Sequence, residues 1–236
     1  GVSENEFIRL VNYSKKSKFI DLKCLSVHIG SQILSYKPYE KMLKVIERVI
    51  NKTNYKFEFI DLGGGIGISY QKNSKKFDFK IFKSLINKFL KKHNSKIIFE
   101  PGRSIIADVG ILISEVTYIK KSKNKNFVIL DAAMNDFMRK ALYDANHQII
   151  PSNKNRKVLN KKFEFVGPIC ESTDKFLSLN KFHLIKEKDL IIICDVGAYG
   201  MSLASNYNVR PLPAEILVKN SKIEVIRKRQ KLSDII

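Results

Sequence analysis

Four glycines in five positions, Gly63, Gly64, Gly65 and Gly67, follow the apolar run "FEFIDL". Each glycine adds backbone freedom that folding has to remove, so such a cluster marks a place where something approaches the main chain closely. Two arrangements meet that description: a tight strand-to-helix turn, or a cradle in which backbone N–H groups hold an anion such as a phosphate. Two other segments end in residues suited to chemistry. "SVHIGSQ" places His28 and Ser31 after an apolar run, and "IIFEPGRS" places Glu100, Gly102 and Arg103 after another. Taken singly, each also has a plain structural explanation: a hydrogen-bonded histidine, a turn carboxylate, an arginine paired with it.

The elements that must hold these groups follow one pattern, an amphipathic helix and then a short apolar strand. Ser3 and Glu6 match a capping box at the start of the first helix, on which Phe7, Leu10 and Val11 share a face. The strand in "LKCLSVHIG" comes next. A second helix carries Tyr39, Met42, Leu43, Ile46, Val49 and Ile50 at helical spacing and leads into "FEFIDLGGG". A third turns Phe82, Leu85, Ile86, Phe89 and Leu90 inward before "KIIFEPGR". Such alternation predicts parallel strands with right-handed crossovers, as in an α/β barrel or an open doubly wound sheet. Functional groups at the carboxyl ends of successive strands are what a (β/α)8 barrel presents at its active face. Three strands cannot close one, so residues 1–107 are expected to form part of such a barrel. Beyond them, "GILISEVTYIK", "NFVILDAA", "KKFEFVGPICES" and "DLIIICDVGAY" read as strands without intervening helices. Residues 108–236 are therefore expected to form an all-β unit of sandwich or barrel-like type, with a hairpin around Asn220 and Ser221.

The 236 residues suffice for two modest domains, and 44% hydrophobic content fits a globular chain. A formal charge of +20, from 43 basic and 23 acidic residues, raises the question of nucleic acid. The excess lies in scattered lysines such as "KKSKNKN" and "NKKF", without a nucleic-acid-binding signature, and reads as a solvated coat. No stretch approaches the ~18 apolar residues of a membrane span, and "GVSENEFIRL" does not resemble a signal peptide, so no membrane partner and a cytoplasmic location are expected. Cys24, Cys170 and Cys194 stand far apart, which argues against both a disulfide framework and a metal site. Cys24 and Cys194, in apolar strands, read as small buried hydrophobes.

In chain order, "SVHIGSQ", "DLGGGIGISY", "EPGRSIIADVG", "DAAMNDFMRKALYDANHQI", "GPICESTDKF" and "DVGAYGMSLASNYNVRPLPAEILV" resemble the diaminopimelate decarboxylases, pyridoxal-phosphate-dependent enzymes of the alanine-racemase-like group. The strand-end signatures are shared with ornithine, arginine and carboxynorspermidine decarboxylases; "MNDFMRKALYDANH" with "GPICES" points to the diaminopimelate branch. The resemblance implies the last three βα units of the barrel followed by a β domain, and pyridoxal 5'-phosphate as cofactor. It places Glu100 on the pyridine nitrogen, His28 against the ring, and Ser31, Gly64, Gly65, Gly102 and Tyr199 around the phosphate, with Arg103 also among the cofactor-binding residues. It gives the substrate Arg103, Arg139, Tyr143 and Tyr199, with Glu171 on the distal ammonium. Cys170 becomes the proton donor, which in relatives reaches the cofactor of the neighbouring subunit, so a homodimer is implied. The implied reaction is decarboxylation of meso-2,6-diaminopimelate to L-lysine, the last step of bacterial lysine synthesis. Alternatives are another basic amino-acid decarboxylase of this fold, an inactive remnant, or a basic non-catalytic binding protein.

Departures from the family pattern accompany the resemblance. The Schiff-base lysine of a "VKAN"-like motif has no counterpart here, and "GVSENEF" resembles a segment just past the middle of the family's barrel. The expectation is that this chain alone does not assemble the covalent cofactor link. Lys140 stands where the pattern usually has proline, Asp108 where it often has asparagine, and Asn180 where relatives often carry an acid.

Overall fold

The computed structural model describes residues 1–70 and 76–236. The chain divides into two compact units, Gly1–Ile105 and Ile106–Ile236, each around its own apolar core.

The first unit runs α1 (Glu4–Ser14), β1 (Cys24–Ser26), α2 (Lys37–Thr53), β2 (Phe59–Asp61), α3 (Phe79–Lys92) and β3 (Lys96–Ile98). Its strands form a parallel sheet with β2 central, in the register Leu25, Ile60, Ile97. The capping box is formed: the Glu6 N–H donates to Ser3 Oγ at 3.3 Å and the Ser3 N–H to Glu6 Oε2 at 2.9 Å. Pro38 stands in the first turn of α2, where its missing N–H costs nothing, and left-handed Asn54 ends that helix. The Asp78 side chain accepts the Ile81 N–H and caps α3. Tyr39, Met42, Leu43, Ile46 and Val49 of α2 and Phe82, Ile86 and Phe89 of α3 are buried. On α1 the expected face is corrected: Leu10 is exposed, while Val11 and Ser14 are buried. Phe7, Val11 and Ser14 lie at i, i+4 and i+7, one stripe, and Leu10 falls on its shoulder.

At the junction stands α4 (Arg103–Ile106). The second unit contains β4 (Leu112–Lys121), β5 (Lys125–Leu130), α5 (Arg139–Tyr143), β6 (Ile149–Pro151), β7 (Val158–Leu159), β8 (Lys162–Val166), β9 (Lys175–Leu179), β10 (Phe182–His183), β11 (Leu190–Ile193), β12 (Glu215–Lys219) and β13 (Lys222–Arg227). One mixed sheet has the order β6-β11-β4-β5-β8-β9, in which only β5 and β8 pair in parallel. Strands β7 and β10 pair separately, and β12 and β13 form a hairpin. Asn220 and Ser221 turn that hairpin with φ of 49° and 64°, the left-handed pair that a tight two-residue loop requires.

Two further expectations are corrected. The second unit is not free of helices, because "RKALY" forms α5, too short for any apolar period to reveal. Cys24 and Cys194 are only half-buried, since Cys24 opens β1 and Cys194 lies just beyond β11. The three cysteines form no disulfide, and no helix among the described residues is long and apolar enough to cross a membrane.

Candidate active site

In the first unit the chemistry-bearing residues gather where the parallel strands end. Asp61, the last residue of β2, accepts the Gly63 N–H at 2.8 Å and the Ser26 hydroxyl at 2.9 Å. The Gly63 carbonyl accepts the Glu100 N–H at 2.9 Å. Across a trans peptide the next N–H points the opposite way, and Gly64 N lies 3.3 Å from His28 Nδ1. The Gly64 carbonyl accepts the hydroxyl of Tyr39 at 2.8 Å, and Tyr39 is wholly buried. By the same rule the Gly65 N–H is turned away from Tyr39 and the core. Burial raises the Tyr39 pKa, so its hydroxyl keeps the proton it donates.

The glycines are required by the chain's own packing. Gly63 and Gly65 have φ of 64° and 95°, and a Cβ on Gly64 or Gly65 would collide with the carbonyl oxygen of Glu100 or Gly30. Tight turn and anion cradle are therefore not rivals: close strand-end packing removes the side chains, and the same turn directs the Gly65 N–H outward. Gly30, at φ 131°, has open space where a Cβ would stand. Arg103 is buried, and its Nη1 donates to the Tyr70 hydroxyl at 2.6 Å and its Nη2 to Ser31 Oγ at 3.2 Å. A hydroxyl that accepts from a guanidinium has its own hydrogen left to donate. His28, Ser31, Glu100 and Gly102 are exposed.

In the second unit Arg139 opens α5 and is buried. Its guanidinium lies 5.6 Å from the Tyr143 ring centroid and 5.7 Å from that of Tyr199, within cation–π range. Tyr199 is held at φ 58°, which a non-glycine residue adopts at a cost, and which its surroundings impose. Cys170 and Glu171 are exposed on the β8–β9 loop. Glu171 accepts the hydroxyls of Tyr207 and, at 3.3 Å, of Thr173, so the carboxylate is oriented by two donors. The loop is tied down by buried Asp174, which accepts the Ile169 N–H and the Met134 N–H, each at 2.7 Å. Burial raises the pKa of Asp174 despite those donors.

The sequence-expected residues thus form three groups. His28, Ser31, Gly64, Gly65, Glu100, Gly102 and Arg103 share the strand-end face of the first unit. Arg139, Tyr143 and Tyr199 come together in the second, while Cys170 and Glu171 occupy a separate loop beside Tyr207. Tyr39, Tyr70, His147, Asp174 and Tyr207 were missed as supporting residues. Tyr70, His147, Asp174 and Tyr207 lay inside recognised motifs, and Tyr39 was hidden by its place in an apolar helical stripe. Lys140, the departure from proline, lies 2.5 Å from Asp144 and fastens the end of α5.

The family described as pyridoxal-dependent decarboxylase, C-terminal sheet domain, matches residues 13–197. The chain belongs to this family. Among curated relatives, diaminopimelate decarboxylase of Helicobacter pylori is 41% identical over all of this chain and that of Aquifex aeolicus 37%. The chain spans 58% and 57% of the length of those two relatives. The crystal structure of the Helicobacter pylori enzyme complexed with L-lysine superposes with a TM-score of 0.91 at 39% identity, covering all of this chain and 59% of that one. A lysine/ornithine decarboxylase from Vibrio vulnificus, 21% identical with a TM-score of 0.78 over 88% of this chain and 58% of that one, shares the fold.

Proposed function

We propose that the protein represented by this chain is a diaminopimelate decarboxylase, converting meso-2,6-diaminopimelate to L-lysine and carbon dioxide with pyridoxal 5'-phosphate, as a cytoplasmic homodimer. The observation that carries the reading is the full-length match of this chain to a diaminopimelate decarboxylase crystallised with L-lysine. On this reading the first unit is part of a (β/α)8 barrel, and the second a sandwich or barrel-like β domain.

The residues present fit the cofactor. An outward Gly65 N–H beside the open space at Gly30, with the Ser31 hydroxyl, offers donors to a phosphate. Exposed His28 and Glu100, each just beyond a strand that flanks β2, offer a flat ring and a carboxylate for a protonated pyridine nitrogen. Gly102 and Tyr199 complete the phosphate contacts in this reading. Bound pyridoxal phosphate supplies the electron sink for cleavage of the bond to the departing carboxylate.

The remaining work falls to side chains of this protein. Arg139 and Arg103 pair with substrate carboxylates through charge-assisted hydrogen bonds. Tyr143 and Tyr199 flank the Arg139 guanidinium and restrict its swing. Glu171, already oriented by Tyr207 and Thr173, takes the distal ammonium, which distinguishes diaminopimelate from shorter or uncharged side chains. Cys170 carries a thiol proton to the carbon that has lost carbon dioxide, acting at the site of the neighbouring subunit. In the intact enzyme, carbon dioxide release from meso-diaminopimelate is expected to exceed that from ornithine, arginine or lysine by orders of magnitude in kcat/KM. The opposite ranking would overturn the assignment.

A further inference from the structure

Arg139 is 5% exposed, so neighbours inside the fold set its orientation. Its Nε lies 3.3 Å from Nε2 of His147, and His147 Nδ1 lies 2.9 Å from the Cys194 carbonyl oxygen. A carbonyl oxygen only accepts and an arginine N–H only donates. Both contacts are satisfied by one form of the ring, the neutral tautomer with its proton on Nδ1 and a bare Nε2. His147 is itself 4% exposed, and the Phe137 ring meets it edge-on with centroids 4.6 Å apart and 86° between planes. Arg139 is one cation facing the imidazole. Lys140 also lines the small cavity beside His147, with its ammonium held by Asp144 and Asn146. A second proton on the ring would break the bond to Arg139 and set two positive charges together.

We propose that His147 is the positioning residue of Arg139. A neutral imidazole anchored to the backbone just after β11 accepts the Arg139 Nε–H and thereby fixes the plane of the rigid guanidinium. The two tyrosine rings limit where the guanidinium sits, and His147 sets how it is turned toward a carboxylate. The proposal rests on the reading of Arg139 as a substrate-carboxylate ligand.

Long-range 15N correlation spectra of the intact enzyme at neutral pH are expected to show His147 protonated at Nδ1 and bare at Nε2. His147→Gln, whose amide oxygen can reach the place of Nε2, is expected to keep KM for diaminopimelate within a few-fold of the parent. His147→Leu, similar in bulk but without an acceptor, is expected to raise KM roughly 10- to 100-fold, the equivalent of one hydrogen bond to a charged group. Turnover and cofactor affinity, the latter followed by absorbance, should change far less. A proton on Nε2, or a KM left unchanged by His147→Leu, overturns the proposal. Should His147→Leu fail to fold, the tautomer and the Gln variant still decide it: a bare Nε2 with KM retained supports the proposal, and a Gln variant with KM raised about 10-fold or more overturns it. Arg139→Lys separates the two readings. If it leaves KM unchanged while the spectrum shows the expected tautomer, the carboxylate role of Arg139 fails and the role proposed for His147 falls with it.

Discussion

The buried hydroxyl of Tyr39 decides which way the Gly65 N–H faces, because it takes the Gly64 carbonyl at 2.8 Å and the peptide between them is planar. Tyr39→Phe keeps the ring, its edge contacts with Phe77 and Phe82, and almost all of the packing. It leaves the carbonyl without that donor, at a cost of about 1–3 kcal/mol. The peptide then has reason to turn, and pyridoxal phosphate titrated by absorbance into the intact apoenzyme is expected to bind several-fold more weakly. A lowered melting temperature with unchanged cofactor affinity would leave Tyr39 a core residue only. At this scale the sequence is legible where a residue type has few uses. Glu100 before a proline and glycine, or four glycines in five positions, announces itself. A tyrosine at helical spacing does not, since its ring alone accounts for its place and its hydroxyl partner lies 25 residues away.

Strand β8 shows what alternation reveals about an element and what it hides. "KFEFV" places Phe163 and Phe165 on one face, where both are buried, and Lys162 and Glu164 on the other. That Glu164 is also buried depends on its neighbours, which the local pattern does not contain. Burial by itself would raise the Glu164 pKa, but hydrogen bonds from Lys175, Ser178 and Lys162 outweigh it and bring the carboxyl down to about 2. The Ser178 hydroxyl donates at 2.6 Å, and the Lys175 and Lys162 ammonium groups stand at 2.7 Å and 3.0 Å. A folded-state pKa below the unfolded value of 4.5 means stability present above that value and lost as pH falls toward 2. Both lysines are substantially exposed, so solvent screening reduces the gain to about 1–2 kcal/mol. Glu164→Gln is expected to lower the melting temperature of the intact enzyme at neutral pH and to converge with the parent as the pH falls through this window. A difference that persists unchanged under acid would point to packing instead. Asp136 and Asp174 act with the opposite sign, because burial raises both. Their contribution is full below the ordinary carboxylate range and diminishes as pH rises through their folded pKa values.

At the scale of the molecule, helix–strand alternation made the parallel sheet readable, and the change to successive strands made the second unit readable. Strand pairing was not, because the parallel contact of β5 with β8 joins segments separated by α5, β6 and β7. No local period encodes such a pairing. Charge was readable in amount but not in meaning. The +20 formal charge is large enough to attract any polyanion at low salt. Lys80, Lys83, Lys88 and Lys91 line one open surface on α3, and a single helix face of flexible ammonium groups offers phosphates no fixed geometry. Exposed charges of this kind are screened over about 8 Å at physiological ionic strength. The intact enzyme is therefore expected to be retained on heparin only at low salt and released near physiological salt, with no preference among DNA sequences. A groove making 6–10 phosphate contacts would lose roughly 10³–10⁵ in affinity between 50 and 200 mM salt, starting from tight binding. Submicromolar DNA affinity that persists at physiological salt would show that the lysines form an organised surface, and would return the nucleic-acid reading to consideration for this chain.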